Sequence, residues 1–319
     1  MTQRVTFGTL AIAVLVFAFA VDIRIAEWYA VRTDGALGEL LARGSTIPLL
    51  VAGLTVLGAI ELGRLLRRTA AQAHIGFACV MVAALILCPW LSAAGWLGDF
   101  PAAVEGLFWE VFVLIAAVIG AAILTILRRN PDGALRDFGA TCIPIFYIGF
   151  LTSFAVQLRC GRDVAGQDGA WLLLFVVLTT KGSDIGAYFV GSAIGRRKIA
   201  PTLSPGKSLE GAIGGLVAGG LSGAALAEVA RERSLISTLT DGTMPEGWWT
   251  LAGAFLVGLV LSAAGQLGDL LESGFKRDAG TKDSGDVIPH LGGILDLIDS
   301  PVLALPVAWL VLTVLFNVV

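Results

Sequence analysis

A run of polar and charged residues between Ser273 and Asp296 separates two apolar segments of the chain. The run combines lysine, arginine, aspartate, serine and glycine. Lysine and arginine bind phosphate oxygens, and aspartate oxygens are ligands that Mg²⁺ prefers in proteins. Because charged groups cost least free energy in water, we expect this run to face an aqueous cavity or the membrane surface. Its composition predicts a site for a nucleoside triphosphate and a divalent cation; the alternative is a solvated loop with ordinary charges.

The beginning of this run and the acid just before it have the spacing of one helical face. Asp269, Ser273 and Lys276 are spaced i, i+4 and i+7, so a helix places their side chains on the same side. Glu272 lies four residues before Lys276, and this spacing indicates a surface ion pair. We therefore expect one acid, one hydroxyl and one cation to reach the site from the end of a helix.

A metal site needs two or more carboxylates that converge from different positions along the chain. The natural donors here are Asp269, Asp283 and Asp296. Asp296 and Asp299 both follow a Gly292-Gly293 turn. Histidine and cysteine form no metal-ligand pattern, since the four cysteines contain no CxxC pair.

Two charged residues interrupt an apolar segment farther upstream. Lys181 and Asp184 are spaced i and i+3, so they can neutralise each other. Charged residues at membrane depth are costly and usually line a cavity or a site. One interpretation is an ion pair that holds the helices together; the other is that Asp184 faces the polar site.

The tripeptide Gly206-Lys207-Ser208 looks like the end of a phosphate-binding P-loop. The pattern fails, because Pro201 stands where the first glycine is required, and the sequence predicts no strand before it. We expect instead a proline-containing turn that leads into a helix near Ser208, where Lys207 and backbone N–H groups could hold a phosphate. The alternative is a simple capped helix start.

The composition is that of a polytopic membrane protein. Of 319 residues, 56% are hydrophobic and 15% charged, with a mean hydropathy of +0.83, whereas soluble domains carry about 25% charged residues. The net charge of −3 gives no basic signal for nucleic acid. We predict an all-α membrane fold with a polar site at the cytoplasmic side of its C-terminal half.

About nine segments are apolar enough to span a bilayer. They are Thr6–Val21, Ile47–Leu62, His74–Leu91, Glu105–Leu127, Phe138–Leu158, Ala170–Val190, Gly211–Val229, Trp248–Leu271 and Pro301–Val319. We expect one integral membrane domain over residues 1–319, with N-terminal helices in 1–168 and a catalytic half in 169–319. Gly211, Gly215, Gly219 and Gly223 recur every four residues, which predicts a smooth helix-packing face.

The distribution of lysine and arginine predicts the orientation. Alternate loops differ by roughly two to one in these residues, and the richer loops face the cytoplasm. We therefore expect a cytoplasmic N-terminus, an inner-membrane location, and the loops around Lys207 and Lys276 on the cytoplasmic side.

Two blocks in the second half carry the motifs of one family. The first runs from Ser183 to Gly191 and continues from Ser204 to Gly211. The second matches at Gly268, Asp269, Ser273, Lys276, Arg277, Lys282, Asp283, Gly285, Pro289, Gly292, Gly293, Asp296 and Asp299. In these residues the chain resembles phosphatidate cytidylyltransferases, also called CDP-diacylglycerol synthases. It departs from their pattern at His290-Leu291 and Leu297, so no role of a motif histidine or arginine is carried over.

The resemblance implies transfer of CMP from CTP to phosphatidate, with release of pyrophosphate. Asp269 and Asp296 would hold Mg²⁺, with Asp283 as a third ligand or as a partner of a ligand, and a second cation is left open. The residues expected to be catalytic are Asp269, Lys276, Asp283 and Asp296; those expected to bind substrate are Asp184, Ser204, Lys207, Ser208, Ser273, Arg277 and Lys282.

The expected partners are CTP, phosphatidate and the lipid bilayer, without nucleic acid, and a homodimer is left open. One alternative function is a CTP-dependent transferase or kinase that acts on another lipid phosphate or alcohol. The other is an ion-coupled transporter that uses Lys181 and Asp184. Transporters often contain two related halves, and the sequence shows no convincing internal repeat, which argues against transport.

Overall fold

The computed structural model describes residues 2–32, 35–97, 102–129, 131–160, 167–232, 250–285 and 292–315. Over these ranges the protein is built almost entirely of helices. They are α1 (Thr2–Arg32), α2 (Ala36–Ala42), α3 (Thr46–Arg68), α4 (Ile75–Ala93), α5 (Ala102–Leu127), α6 (Ala134–Ile143), α7 (Leu151–Cys160), α8 (Gln167–Ile194), α9 (Leu209–Glu232), α10 (Leu251–Asp278) and α11 (Leu295–Leu310), with π-helical segments at Pro144–Phe150 and Val311–Leu315.

The described part of the chain contains eight helical stretches that are long and apolar enough to cross a membrane. These are Thr46–Arg68, Ile75–Ala93, Leu107–Leu127, Ala134–Cys160, Gly169–Ile194, Leu209–Glu232, Leu251–Asp278 and Leu295–Thr313. The predicted polytopic all-α membrane fold is confirmed. The predicted first span, Thr6–Val21, belongs to α1, where the side chains of residues 2–12 lie outside the description, so a ninth span stays a prediction.

The glycine repeat of α9 packs this helix between α8 and α10, as predicted. A Cβ atom at Gly211 would lie 3.0 Å from Gly191 Cα on α8, and one at Gly223 would lie 2.7 Å from Ala254 O on α10. Larger side chains would push the helices apart, because both contacts are with backbone atoms. Glycine on this face therefore lets α9 lie in close contact with α8 and α10, the two helices that carry Asp184 and Asp269.

A short β-hairpin lies between α8 and α9, and it corrects the expectation that no strand precedes Lys207. Strand β1 (Lys198–Ala200) pairs antiparallel with β2 (Ser204–Ser208). The Ser208 hydroxyl accepts a hydrogen bond from Gly211 N–H at 3.2 Å, so it caps the start of α9. The hairpin thus ends directly in a helix, and Lys207 is held on a strand rather than on an open turn.

The last helix begins at Leu295, well before the predicted start at Pro301. Asp296 and Asp299 therefore lie in its first turns and not in a preceding loop. Pro301 sits inside the helix, where membrane helices tolerate proline because neighbouring groups satisfy the freed backbone carbonyl. This shift gives the two aspartates fixed directions on a helix that packs against α10.

A buried ion pair joins distant parts of the first half of the chain. Arg159 Nε lies 2.6 Å from Asp22 Oδ2, and both side chains are completely buried. Asp22 also accepts a hydrogen bond from Ile47 N–H at 3.1 Å. Burying charge is costly unless it is paired, so this contact ties α1 to α3 and α7.

Candidate functional site

Three carboxylates from two helices converge at the centre of the second half. Asp269 and Glu272 lie on α10 and Asp299 lies on α11, and one ligand oxygen from each falls within 4.8 Å of the others. We call these three residues the acidic cluster. The two helices can approach because Gly268 has no side chain: a Cβ there would lie 2.3 Å from Asp299 O.

Glu272 corrects a sequence-based expectation. It was predicted to form a surface ion pair with Lys276, but its side chain is completely buried. The predicted ion pair is present: Lys276 Nζ contacts Glu272 Oε2, and both side chains are largely buried. Glu272 stands three residues after Asp269, so it shares the helix face that points at α11. The i, i+3 spacing to Asp269, rather than the i, i+4 spacing to Lys276, therefore places both acids on the face of α10 that meets α11.

Three lysines from separate parts of the chain pair with carboxylates at and around the acidic cluster. The pairs are Lys207 with Asp269 at 2.7 Å, Lys276 with Asp296 at 2.6 Å, and Lys181 with Asp184 at 3.3 Å between nitrogen and oxygen. Taken as formal charges, five carboxylates face three ammonium groups. The excess of two negative charges equals what one divalent cation would balance.

Lys181 pairs directly with Asp184, which follows it by three residues on α8. The Ser300 hydroxyl, next to Asp299, lies 3.1 Å from Asp184 Oδ2. The structure therefore brings the Lys181–Asp184 pair to the edge of the acidic cluster. Lys181 and Asp184 both belong to α8, and the Ser300 hydroxyl links Asp184 to α11. The role of Asp184 in a substrate site stays a prediction.

Asp296 has different partners from the acidic cluster. It accepts hydrogen bonds from Ser284 Oγ at 2.7 Å, from Ser284 N at 3.2 Å and from Gly293 N at 2.8 Å, besides its ion pair with Lys276. Asp283 is exposed. The structure does not bring Asp283 or Asp296 into the acidic cluster, and the metal role assigned to them from the motif stays a prediction.

The remaining predicted substrate residues lie around the site with mixed surroundings. Arg277 is exposed, and its Nε donates to Leu203 O at 3.1 Å, which ties the end of α10 to the β-hairpin. Lys282 is exposed, Ser204 is half-buried and Ser273 is buried. The Ser208 oxygen serves as the helix cap described above. Pro289 and His290 lie outside the described residues.

Sequence reasoning missed three acids that contact the site or its supports. Glu272 and Asp299 could have been found from helical spacing, because each stands three residues after a predicted ligand. The third is Glu61, which is buried in α3. A lone carboxylate within the apolar segment Ile47–Leu62 was the available signal, since such residues are rarely placed at membrane depth without a role.

The acidic cluster fits a hard divalent cation. Mg²⁺ takes oxygen ligands at about 2.0–2.1 Å, and small side-chain movements would bring three oxygens that lie within 4.8 Å to that arrangement. Both carboxylate oxygens of Glu272 are buried. Lys276 Nζ contacts Oε2, and Oε1 has no hydrogen-bond partner among the described residues. A metal ion would satisfy Oε1, so Asp269, Glu272 and Asp299 are the residues that would hold it.

The chain is similar in sequence to one protein family and to several of its individual members. A model described as the cytidylyltransferase family matches residues 2–315. The protein YnbB of Escherichia coli (strain K12) is 35% identical over 202 residues, 62% of each chain. A phosphatidate cytidylyltransferase of Haemophilus influenzae is 42% identical over 138 residues, 43% of this chain and 44% of the relative. One of Staphylococcus saprophyticus is 32% identical over 214 residues, 67% of this chain and 70% of the relative. The chain thus spans between 44% and 70% of the length of these relatives.

We expect Glu272→Gln and Asp299→Asn each to weaken metal binding by about tenfold or more, because an amide is a poor replacement for a hard anionic ligand. Mn²⁺, which reports binding by loss of its paramagnetic resonance signal, is the probe for the purified protein. Asp283→Asn should bind Mn²⁺ as the unaltered protein does, and Asp278→Asn, at an exposed position, is the control. If Asp283→Asn weakened Mn²⁺ binding and Glu272→Gln did not, the metal site would lie in the loop after α10 and not at the acidic cluster.

Proposed function

The chain belongs to the cytidylyltransferase family, and on that premise we propose that it transfers CMP from CTP to phosphatidate, giving CDP-diacylglycerol and pyrophosphate. The observation that carries the proposal is the acidic cluster with its surrounding lysines, placed on helices that cross the membrane. A nucleoside triphosphate brings several negative charges, and a lipid phosphate brings more. This site holds the groups that neutralise such charges beside the bilayer in which the lipid is dissolved.

The reaction is a displacement at phosphorus. An oxygen of the lipid phosphate attacks the α-phosphorus of CTP, a new P–O bond forms, and the bond to the β-phosphate breaks with release of pyrophosphate. A lipid phosphate is already ionised near pH 7, so no strong general base is needed. Catalysis then consists of positioning the two phosphates and neutralising charge in the transition state.

Lysines supply the mobile positive charge. Lys207 enters from β2 and pairs with Asp269 of the acidic cluster, and Lys276 on α10 pairs with Glu272 of the cluster and with Asp296. Asp269, Glu272 and Asp299 would hold a divalent cation, which would supply further positive charge for the phosphates and for departing pyrophosphate. Lys207 and Lys276 can then turn from their carboxylates to phosphate oxygens without large backbone movement. Lys181 and Asp184 hold the deeper edge of the site, within the span Gly169–Ile194.

The placement of the site suits a substrate that stays in the membrane. Large apolar side chains cover outward faces of the bundle, as on α5, where Phe112, Ile115, Ile119 and Ile126 are exposed. Such faces favour contact with acyl chains. We propose that the site lies at the cytoplasmic side of the inner membrane, where CTP is available, and that the lipid phosphate enters sideways from the bilayer.

In the presence of Mg²⁺, the purified protein in vesicles that contain phosphatidate should transfer label from the α-phosphate of CTP to a lipid and release pyrophosphate. Asp269→Asn should abolish the product, because it removes a cluster carboxylate and the partner of Lys207. Vesicles with diacylglycerol in place of phosphatidate test the alternative lipid alcohol. Label transferred from the γ-phosphate instead of the α-phosphate would identify a kinase and overturn the proposal.

Single cysteines at Thr202 and Asp278, in a background without native cysteines, should both react with an impermeant maleimide only from the cytoplasmic side. Both positions are exposed, and they flank Lys207 and Lys276. The orientation follows from the excess of positive charge in these loops. A cysteine at Glu39, exposed in α2, should react from the opposite side. Labelling of the first two positions from opposite faces would contradict the shared site.

A further inference from the structure

Glu61 contributes a buried carboxylate from the half of the chain that carries none of the motifs. It lies in α3, with only 2% of its surface exposed. Among the described residues it forms no ion pair with a lysine or arginine. A carboxylate in this position must be stabilised by hydrogen bonds. The groups that donate these bonds show what it does.

The donors to Glu61 all belong to the start of α11 and the loop before it. Glu61 Oε1 accepts from Ile294 N–H at 3.0 Å, and Oε2 accepts from Leu295 N–H at 2.8 Å and from the Ser284 hydroxyl at 3.2 Å. The residue before α11 is Ile294, whose side chain cannot cap a helix. Glu61 therefore supplies the missing cap from another helix, where the positive end of the helix dipole favours an anion.

The sequence around α11 leaves room for this carboxylate. A Cβ atom at Gly285 would lie 2.7 Å from Glu61 Oε1, and one at Gly293 would lie 2.4 Å from Glu61 Oε2. Any larger residue at either position would displace the carboxylate. The two glycines thus allow the close approach of a side chain from α3, in addition to shaping the turn itself.

The same turn holds Asp296. The Ser284 hydroxyl lies between the two acids, at 3.2 Å from Glu61 Oε2 and 2.7 Å from Asp296 Oδ2. A hydroxyl has one proton, so it donates to one carboxylate at a time. The other oxygen of Asp296, Oδ1, lies 2.6 Å from Lys276 Nζ. A continuous set of contacts therefore leads from Glu61 through the turn to Asp296 and then to Lys276.

We propose that Glu61 is a positioning residue for the reaction, an inference that rests on the proposed function. By capping α11 from α3, Glu61 fixes the direction of its first turn and thereby sets where Asp296 holds Lys276 beside the acidic cluster. The first half of the chain in this way completes a site whose chemistry is carried by the second half. Glu61 touches no substrate in this arrangement and acts only through the turn.

Glu61→Gln tests this role in the full-length protein. A glutamine keeps the size but has one acceptor oxygen, and its amide N–H₂ must face a backbone donor or the Ser284 hydroxyl. We expect amide hydrogen exchange at Gly293–Leu295 to rise by about tenfold or more, with exchange elsewhere in α3 and α10 unchanged. We also expect kcat to fall by about tenfold or more and KM for phosphatidate to change little, because Lys276 is misplaced while the lipid path is intact.

Two further variants separate positioning from simple loss of stability. Thr55→Val is the matched control, since Thr55 is buried in the same helix but bonds only to carbonyls of its own helix; it should leave exchange at Gly293–Leu295 and kcat unchanged. Ser284→Ala retains Glu61 and removes the hydroxyl between the two acids. It should raise exchange at the same amides by a smaller factor, and it carries the test if Glu61→Gln does not fold.

Unchanged exchange at the start of α11 in Glu61→Gln and Ser284→Ala would overturn the inference. A rise spread evenly over α3, α10 and α11 would do the same, because it would show a general structural role. The exchange measurement needs no substrate, so it judges the cap even if no CDP-diacylglycerol is formed. Loosening of the start of α11 with unaltered kcat would also refute Glu61 as a positioning residue, while leaving the proposed transfer reaction intact.

Discussion

The neutralisation of carboxylates inside a membrane protein determines how the second half of this chain is arranged. Asp269, Glu272 and Asp299 are brought within a few ångströms of one another, a placement that like charges resist unless cations compensate them. Lysines from α8, β2 and α10 provide that compensation. Helices α8 to α11 and the β-hairpin must keep their relative positions for these pairs to form. The glycine contacts between α8, α9 and α10 make such close packing possible.

The same constraint explains why the first half is more than a membrane anchor. Two of its buried carboxylates have partners far away in sequence: Asp22 pairs with Arg159, and Glu61 accepts hydrogen bonds from the start of α11. The Glu61 contact crosses the boundary near residue 168 that the motifs suggest. It favours one membrane domain over two independent units, and a division at that boundary into a helical anchor and a catalytic half stays a prediction.

Sequence patterns predicted the membrane fold and the glycine packing face. They could do so because hydrophobic length and residue type are local properties. They did not predict how the acids divide among roles: Glu272 was assigned to the surface, and Asp299 was left without a role. That division depends on the rotation of α10 against α11, which a single α10 spacing does not specify. The β-hairpin that contains Lys207 was missed because its strands are short, without the alternating pattern that indicates a strand.

The lone carboxylate of Glu61 could be noticed in the sequence, but its partners could not be predicted, for a related reason. Its partners are backbone N–H groups more than two hundred residues away, and no motif marks such a contact. The departure from the family pattern at Leu297 has a structural explanation. Leu297 lies in the first turn of α11 next to Asp296, and Lys276 already neutralises that acid, so no arginine is needed there. Contacts such as that of Glu61, which hold a turn in position from a distant helix, are therefore the hardest to predict from sequence.

The central claim is that lysines occupy the carboxylates until a metal and a nucleotide replace them. Mn²⁺ affinity and CTP affinity of Lys207→Met, each compared with the unaltered protein, test it most directly. Loss of the ion pair with Asp269, a contact of ~1 kcal/mol, should tighten Mn²⁺ binding in the absence of nucleotide by about fivefold and should weaken CTP binding. Lys282→Met, at an exposed position away from the cluster, should leave Mn²⁺ affinity unchanged. Equal or weaker Mn²⁺ binding by Lys207→Met would contradict the account, because Lys207 would then not compete with the metal for Asp269.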